Sequence, residues 1–348
     1  MAAIPTPPGS TGGTPSAVRR IGVLTSGGDA PGMNAAVRSV VRNADALGTE
    51  VLGVRHGYAG LMDGDFVPLD RTAVDSMFHR GGTLLGSDRA PEFKSETGQV
   101  RALEQLDHRE VEGLVVIGGN GSQSGAAALW RRGFPVVGIA STIDNDLSGF
   151  DTTLGVDTAL NTIQVAVERI RDTAMSHRRA FVVEVMGRDS GYLGMQVALA
   201  IGADLAILPE APAELASIQA AARRAAERGQ THLLIVLAEG ANWAPPAVCE
   251  AIEAAGMGFD ARPLVLGHLQ RGGAPTVVDR VLGARLGAEA VQALANGEAG
   301  FVVGVARGAV AHLPFDEAIR HASKVDTASL ALVGRLAGNV GEPGRMLV

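Results

Sequence analysis

Residues 114–125 read Leu-Val-Val-Ile-Gly-Gly-Asn-Gly-Ser-Gln-Ser-Gly. The four apolar residues at the front are too few for a buried helix. Three of them are β-branched, which suits a strand covered on both faces. Glycines end the run, and the small residues after them open a helix. A strand that feeds directly into a helix is half of a crossover unit, and a chain of such units folds as a parallel sheet flanked by helices.

The same pattern recurs on either side. Short apolar runs stand at Ile21–Leu24, Val51–Val54, Val136–Ile139, Phe181–Val185, Leu205–Leu208, Leu233–Leu237, Leu264–Leu266 and Phe301–Val305, and each reads as a buried strand. Helical periodicity fills the intervals at Ala35–Ala46, Asp157–Ala174, Ala213–Arg228 and Val277–Ala295. The class is α/β with mainly parallel sheets. No internal repeat and no tract of like charge interrupts it.

The chain has 348 residues, which at about 150 per domain favours two domains. Its 46% hydrophobic content excludes a disordered chain. With 30 basic against 37 acidic residues the net charge is −7, which argues against nucleic acid as a partner. Only Lys94 and Lys324 among the basic residues are lysines, so a mechanism that needs a lysine has two candidates. The longest apolar stretch, 193–208, is broken by Gln196, Gly202 and Asp204 and falls short of the ~20 residues of a membrane span, so no membrane partner is expected. Residues 1–18, with Pro5, Pro7, Pro8 and Pro15 among Gly, Ser and Thr, read as a flexible tail without a signal-peptide core. Cys249 is alone and no Cys/His cluster has zinc spacing, which fits a reducing, cytoplasmic location.

Open parallel sheets bind ligands in the loops at the carboxyl ends of their strands. Three such loops are rich in glycine or acid. The first, Thr25-Ser26-Gly27-Gly28-Asp29-Ala30-Pro31-Gly32, leads into a helix whose free N–H groups suit a phosphate, although an ordinary strand-to-helix turn has the same look. The second, Gly118–Gly125, fails both nucleotide fingerprints. It has no Lys after the final glycine, and Ser124 spoils the dinucleotide spacing, which disfavours a dehydrogenase. Its backbone N–H groups could still cradle phosphates. The third, Ala140-Ser141-Thr142-Ile143-Asp144-Asn145-Asp146, offers one acid for a proton and another for a metal, or else an Asp/Asn turn. Further on come Glu184–Gly191, Arg262 and Leu266–Gly273, where glycine-flanked arginines suit a multiply charged anion.

The motifs SGGDAPGMNA, RGGTLLGS, GGNGS, TIDND, EVMGR and LGHLQRGG, in this order, closely resemble those of the bacterial 6-phosphofructokinases from about Ile21 to about Ala318. The resemblance implies two similar three-layer αβα domains, with the active site in the interdomain cleft. Residues 18–155 plus 268–318 would bind nucleotide, and 156–267 plus 319–348 sugar phosphate. The implied reaction moves the γ-phosphoryl of ATP to the 1-hydroxyl of fructose 6-phosphate, with Mg2+. Asp144 would be the general base, Thr142 would contact the moving phosphoryl group, and Arg89 and Arg188 would neutralise its charge. Gly28, Tyr58, Arg89, Asn120, Gly121, Ser122 and Gly125 would line the ATP site, and Asp146 with Asn120 would hold the metal. Met186, Gly187, Glu239, His268 and Arg271 would hold the sugar phosphate, joined by Arg179 and Arg262 of a neighbouring subunit, which implies a homotetramer. Arg38, Arg42, Arg71 and Arg171 match an effector pocket for ADP or phosphoenolpyruvate, in which Arg228 stands where a Lys is usual and Asp204 where a Glu is, so effector binding with an altered response is expected.

Two departures bear on the reaction. The ATP-dependent enzymes usually carry Asp where this chain has Asn120, which has an oxygen for Mg2+ but no charge. Pyrophosphate-dependent relatives commonly carry Asp at the Gly121 position and Lys at the Ser141 position, and this chain has neither, which favours ATP. The alternatives are a pyrophosphate-dependent kinase, and a weak or silent paralogue that binds sugar phosphate or nucleotide and regulates a partner. Retention of Asp144, Asp146, Arg89 and Arg188 argues against silence. Cys249, Trp130 and Trp243 read as packing residues.

Overall fold

The computed structural model describes residues 18–320 and 324–338, so the tail expected at 1–18 lies outside the described residues but for Val18. Eleven strands are described: β1 (Arg20–Thr25), β2 (Glu50–Val54), β3 (Phe66–Leu69), β4 (Gly113–Gly118), β5 (Val136–Ala140), β6 (Arg179–Val185), β7 (Leu205–Ile207), β8 (Leu233–Ala238), β9 (Asp260–Val265), β10 (Phe301–Ala306) and β11 (Ala309–Pro314). The chain divides into two compact units at Thr158/Ala159 and Gln270/Arg271.

In the first unit seven strands run in the order β11-β10-β5-β4-β1-β2-β3. The five inner strands pair in parallel, while β3 and β11 are antiparallel edges. The second unit has a wholly parallel sheet in the order β7-β8-β6-β9. Strands β4, β5 and β8 are buried at every residue, the expected state of a parallel strand covered on both faces. Leu24, Leu106, Leu114, Val116, Leu129 and Val302 meet in the core of the first unit. Ile207, Ile218, Leu233, Ile235, Leu237 and Ile252 do so in the second.

All nine expected strands are present. The two that periodicity missed, β3 and β11, are edge strands that contain Pro68 and Pro314. A proline can sit there because one side of an edge strand has no ladder to break. For the same reason β9, at the edge of its sheet, begins at Asp260 and runs through Arg262 and Pro263, four residues ahead of the apolar segment that announced it. The expected helix over 213–228 is Leu215–Glu227, and Val277–Ala295 is helical throughout.

A buried carboxylate fixes the start of the 22-residue helix Val156–His177. Asp279, 1% exposed, accepts from the backbone N–H of Gly155 and of Thr158 at 2.8 Å each and from the Thr158 hydroxyl at 2.5 Å. Helix N-termini leave their first N–H groups without internal partners, and here a side chain distant in sequence supplies them. Asp279→Ala strands those donors in a dry site, and urea denaturation is expected to show a loss of about 2–4 kcal/mol. Asp279→Asn, which keeps one oxygen, is expected to fall between alanine and wild type.

Candidate functional site

Strands β5, β4 and β1 are neighbours and parallel, so their carboxyl-end loops lie side by side. Backbone bonds stitch these loops together: Ser26 N–H donates to the Ile117 carbonyl at 3.0 Å, and Ser141 N–H to the Gly118 carbonyl at 3.1 Å. Gly118 is where they come closest, since a Cβ there would stand 2.5 Å from both the Ser122 hydroxyl and the Ser26 carbonyl oxygen. The RGGTLLGS segment closes over the first loop. Asn34, buried, accepts from Leu84 N–H at 2.8 Å and donates to the Arg80 carbonyl at 3.0 Å, while the Ser87 hydroxyl donates to the Gly27 carbonyl at 2.7 Å. Arg89, just beyond, is exposed.

The TIDND loop is held from within. Asp144 is buried, and its N–H donates to the Thr142 hydroxyl oxygen at 3.1 Å. The Thr153 hydroxyl donates to the Thr142 carbonyl at 2.6 Å. Asn145 takes a left-handed φ of 50°, which asparagine tolerates better than most side chains. Asp146 is half-buried and accepts from the Asn120 amide at 3.0 Å.

Helix Asn120–Arg131 begins with Asn120, Gly121 and Ser122. A Cβ at Gly121 would meet nothing within 4 Å, so the approach to this helix start is open. Tyr58 is enclosed, in contrast to the open position a nucleotide-lining residue would have. Its ring stacks on Phe93 at 4.1 Å and its hydroxyl donates to the Ser122 carbonyl at 2.6 Å, while burial pushes the phenol up. Arg271 is buried in the same unit and donates to the Asp29 carbonyl at 3.2 Å, its guanidinium against Gly28.

In the second unit Met186-Gly187-Arg188 follows β6. Arg188 adopts a left-handed φ of 52°, a strained state for this residue. Exposed Glu239 holds it there, accepting from Gly187 N–H at 3.1 Å and Arg188 N–H at 2.7 Å. Buried Gln270 accepts from Met186 N–H at 3.1 Å and donates to the Gly267 carbonyl at 3.0 Å. Burial, and then the charge of Glu239, raise the carboxyl of Glu184 on β6 above its ordinary range. His268 is exposed. Arg179 and Arg262 sit elsewhere, both paired to Asp260 at 3.3 and 2.6 Å near the start of β6. The seven residues of β6, at about 3.3 Å each, separate that pair from Met186–Arg188 by about 20 Å.

The expected effector residues all have partners inside the chain. Arg42 and Arg38 face Asp75, the latter at 3.9 Å, and Arg71 pairs with Asp45 at 2.8 Å. The Arg42 hydrogen bond above all holds the Asp75 carboxyl below its usual range. Arg171 donates to the Ile201 carbonyl, and Asp204 accepts from Leu234 N–H at 2.8 Å and from Gln230 at 3.1 Å. Arg228 donates to the carbonyls of Ala337 and Gly338 at 2.5 and 2.6 Å, at the end of a helix (Thr327–Leu336) that follows the recognisable motifs. Cys249 is buried, its thiol pushed up to about 11 by that burial.

Sequence reasoning missed Asn34, Gln270 and Asp279, which place loops instead of lining them. Their signal is a polar side chain inside or beside a glycine motif, which only a contact map turns into a role. No group of three or more His, Cys, Asp or Glu that could hold a metal occurs among the described residues, and no helix among them is long and apolar enough to cross a membrane. A Mg2+ bound mainly by substrate phosphates needs only one or two protein oxygens. The Asp146 carboxylate and the Asn120 Oδ1, buried without a hydrogen-bond partner among the described residues, fit that demand.

The family model described as Phosphofructokinase matches residues 20–294. The ATP-dependent 6-phosphofructokinase of Shouchella clausii is 48% identical over 314 residues, covering 89% of this chain and 96% of that protein. ATP-dependent 6-phosphofructokinase 1 of Thermus thermophilus is 47% identical over 321 residues, covering 92% and 100%. Among solved structures, phosphofructokinase from Saccharomyces cerevisiae superposes with a TM-score of 0.81 at 34% identity over 87% of this chain, which spans only 45% of the yeast chain. A pyrophosphate-dependent phosphofructokinase from Marinobacter aquaeolei, at 19% identity over 91% of each chain and a TM-score of 0.78, shares the fold.

Two glycines of the site separate space from contact. A Cβ at Gly240 would overlap the backbone carbonyl of Arg188, which no rotamer change relieves. Gly240→Ala is expected to lower the urea midpoint by the equivalent of about 1–3 kcal/mol, whereas Gly121→Ala, in a helix with open space, is expected to leave it unchanged or raise it by up to about 1 kcal/mol.

Proposed function

The chain belongs to the phosphofructokinase family, and from that membership we propose that it phosphorylates fructose 6-phosphate at the 1-hydroxyl with ATP, giving fructose 1,6-bisphosphate and ADP. It is a kinase of glycolysis, with ATP as co-substrate and Mg2+ as its metal. The observation that carries this reading is the buried Asp144 in a loop anchored beside two glycine-rich strand ends.

Phosphoryl transfer asks the protein mainly for position and charge. Asp144 takes the proton from the 1-hydroxyl as that oxygen attacks the γ-phosphorus and the bond to the β-phosphate bridging oxygen breaks. A buried carboxylate in hydrogen-bond reach of the hydroxyl is the group suited to that proton transfer. Because the Thr142 oxygen already accepts from Asp144 N–H, its own proton is available to a phosphoryl oxygen. Asp146 with Asn120 would hold Mg2+, which when bound would supply positive charge to the nucleotide phosphates. Arg89 and Arg188, both exposed residues, bring positive charge to the equatorial oxygens. Gly28, Gly121, Ser122 and Gly125 line the nucleotide phosphates in this reading; open space lies at Gly121, Arg271 packs on Gly28, and Tyr58 packs on Gly125 and bonds to the Ser122 carbonyl. The open space at Gly121 suits the longer donor and favours ATP over pyrophosphate.

Met186, Gly187, Glu239, His268 and Arg271 bind the sugar phosphate. Arg179 and Arg262 complete that set from a second copy. Within one chain about 20 Å separates them from Met186–Arg188, far more than a sugar phosphate spans. The working unit is therefore a homo-oligomer with shared sites, a tetramer in this reading, and it works in the cytoplasm on small phosphorylated metabolites. ADP or phosphoenolpyruvate acts through Arg38, Arg42, Arg71, Arg171, Asp204 and Arg228.

Purified protein with fructose 6-phosphate and Mg2+ is expected to turn over with ATP and not with pyrophosphate, and Asp144→Asn to lower kcat by about 10²–10⁴-fold with little change in KM. Turnover with pyrophosphate alone refutes the donor assignment, and no turnover with either donor favours the silent paralogue. Repeating the fructose 6-phosphate titration with ADP or phosphoenolpyruvate tests the effector reading, which identical saturation curves would refute. Site sharing is read by complementation. Asp144→Ala and an Arg179→Ala/Arg262→Ala double variant, each inactive alone, are expected to recover measurable activity when co-expressed, and no recovery would place each site within one chain.

A further inference from the structure

Asn120 does more than replace a charged ligand. Its Nδ2 donates to the Asp146 carboxylate Oδ2 at 3.0 Å and to the Asp146 carbonyl at 3.3 Å. Both neighbours are acceptors, so the amide can meet them only through its nitrogen, and its orientation is fixed by chemistry. The other end, Oδ1, is buried without a hydrogen-bond partner among the described residues. An aspartate at position 120 would face the first carboxylate with a second. Like charges in such contact disfavour each other unless a proton or a cation stands between them.

We propose that Asn120 is a metal-independent latch: its amide holds Asp146, and with it the end of the TIDND loop, in place without a cation, so that the free protein has little affinity for Mg2+ and takes it up only together with nucleotide phosphates. The inference rests on the reading of Asp146 as part of the metal-nucleotide site. Mg2+ gives up its water reluctantly and binds proteins through one or two carboxylates together with substrate phosphates. At this pair a lone cation would gain a single negative charge, one of whose oxygens is already hydrogen-bonded. The triphosphate supplies the charge that the amide lacks, and Oδ1 then offers a neutral oxygen. Asn120 is thus a positioning residue for Asp146 before the substrates arrive.

Stability, with no nucleotide and no turnover, tests the latch. Thermal midpoints of wild type, Asn120→Asp and the exchanged pair Asn120→Asp/Asp146→Asn are compared in EDTA and in millimolar MgCl2, with calorimetric titration of Mg2+ into each. The wild-type midpoint is expected to ignore Mg2+ and the titration to show no binding. Asn120→Asp is expected to melt lower in EDTA, to recover with Mg2+ and to gain measurable binding. The exchanged pair restores one amide and one carboxylate and is expected to return to metal independence. Should Asn120→Asp fail to fold in either buffer, the exchanged pair decides alone, metal independence supporting the latch and metal dependence overturning it. A wild-type midpoint that climbs with Mg2+, or an Asn120→Asp midpoint equal to wild type in EDTA, overturns it as well. An inactive wild type with the expected midpoints would remove the kinase reading and leave the latch, while an active wild type with a Mg2+-dependent midpoint would do the reverse.

Discussion

At Gly118 the end of β4 meets the loop after β1 and the start of helix Asn120–Arg131, and Ser141 N–H at the end of β5 donates to its carbonyl at 3.1 Å. The Ser26 carbonyl, the Ser122 hydroxyl and the chain of β4 share a space that a single methyl group would fill. Because β5, β4 and β1 are parallel neighbours, that approach brings the SGGD loop, the start of helix Asn120–Arg131 and the TIDND loop to one edge of the sheet. The phosphate site proposed for the first unit depends on it. A larger residue there would press first on Ser122 and on the Ser26 carbonyl.

The scarcity of lysine carries a second constraint. A guanidinium is planar and directional, so its usefulness depends on how its backbone and its unused N–H groups are held. The structure holds each one differently. Arg188 is fixed by a left-handed backbone that Glu239 secures through two N–H groups. Arg271 is fixed by burial and the Asp29 carbonyl. Arg179 and Arg262 flank one carboxylate, Asp260. Carboxylates and a backbone carbonyl thus hold the positive groups in place, within a chain whose net charge is −7.

The inner strands were legible in the sequence because parallel strands buried on both faces are written as unbroken apolar runs, as at Leu114–Ile117 and Leu233–Leu237. Edges β3 and β11 were not, since their prolines and half-exposed residues erase that signal. At the site, the motifs pointed to the loops at the strand ends. They were silent on Asn34, Gln270 and Asp279, whose work is to receive or donate hydrogen bonds across 46 to 124 residues of sequence. A local pattern cannot register a partner that the fold supplies. Tyr58 shows the same limit from the other side: the motif marks it, but burial decides that its hydroxyl serves the Ser122 carbonyl.

The arginines matched to an effector pocket extend this logic to regulation. Phosphate-binding side chains that stand free attract any anion, and those already paired respond only to a ligand that outcompetes the internal partner. Asp75 occupies Arg38 and Arg42, and the carbonyls of Ala337 and Gly338 occupy Arg228. The latter pair closes the end of helix Thr327–Leu336, where exposed carbonyls attract a cation by charge as well as by hydrogen bonding. An anion that engaged Arg228, as proposed, would have to release the end of that helix, whose Leu330 packs beside Met195 and Leu208. In the proposed reading, effector affinity would be set by the difference between the internal partners and the ligand as environments for the same arginines, and it would be coupled to the order of the C-terminal helix in a way that the motif residues alone do not encode.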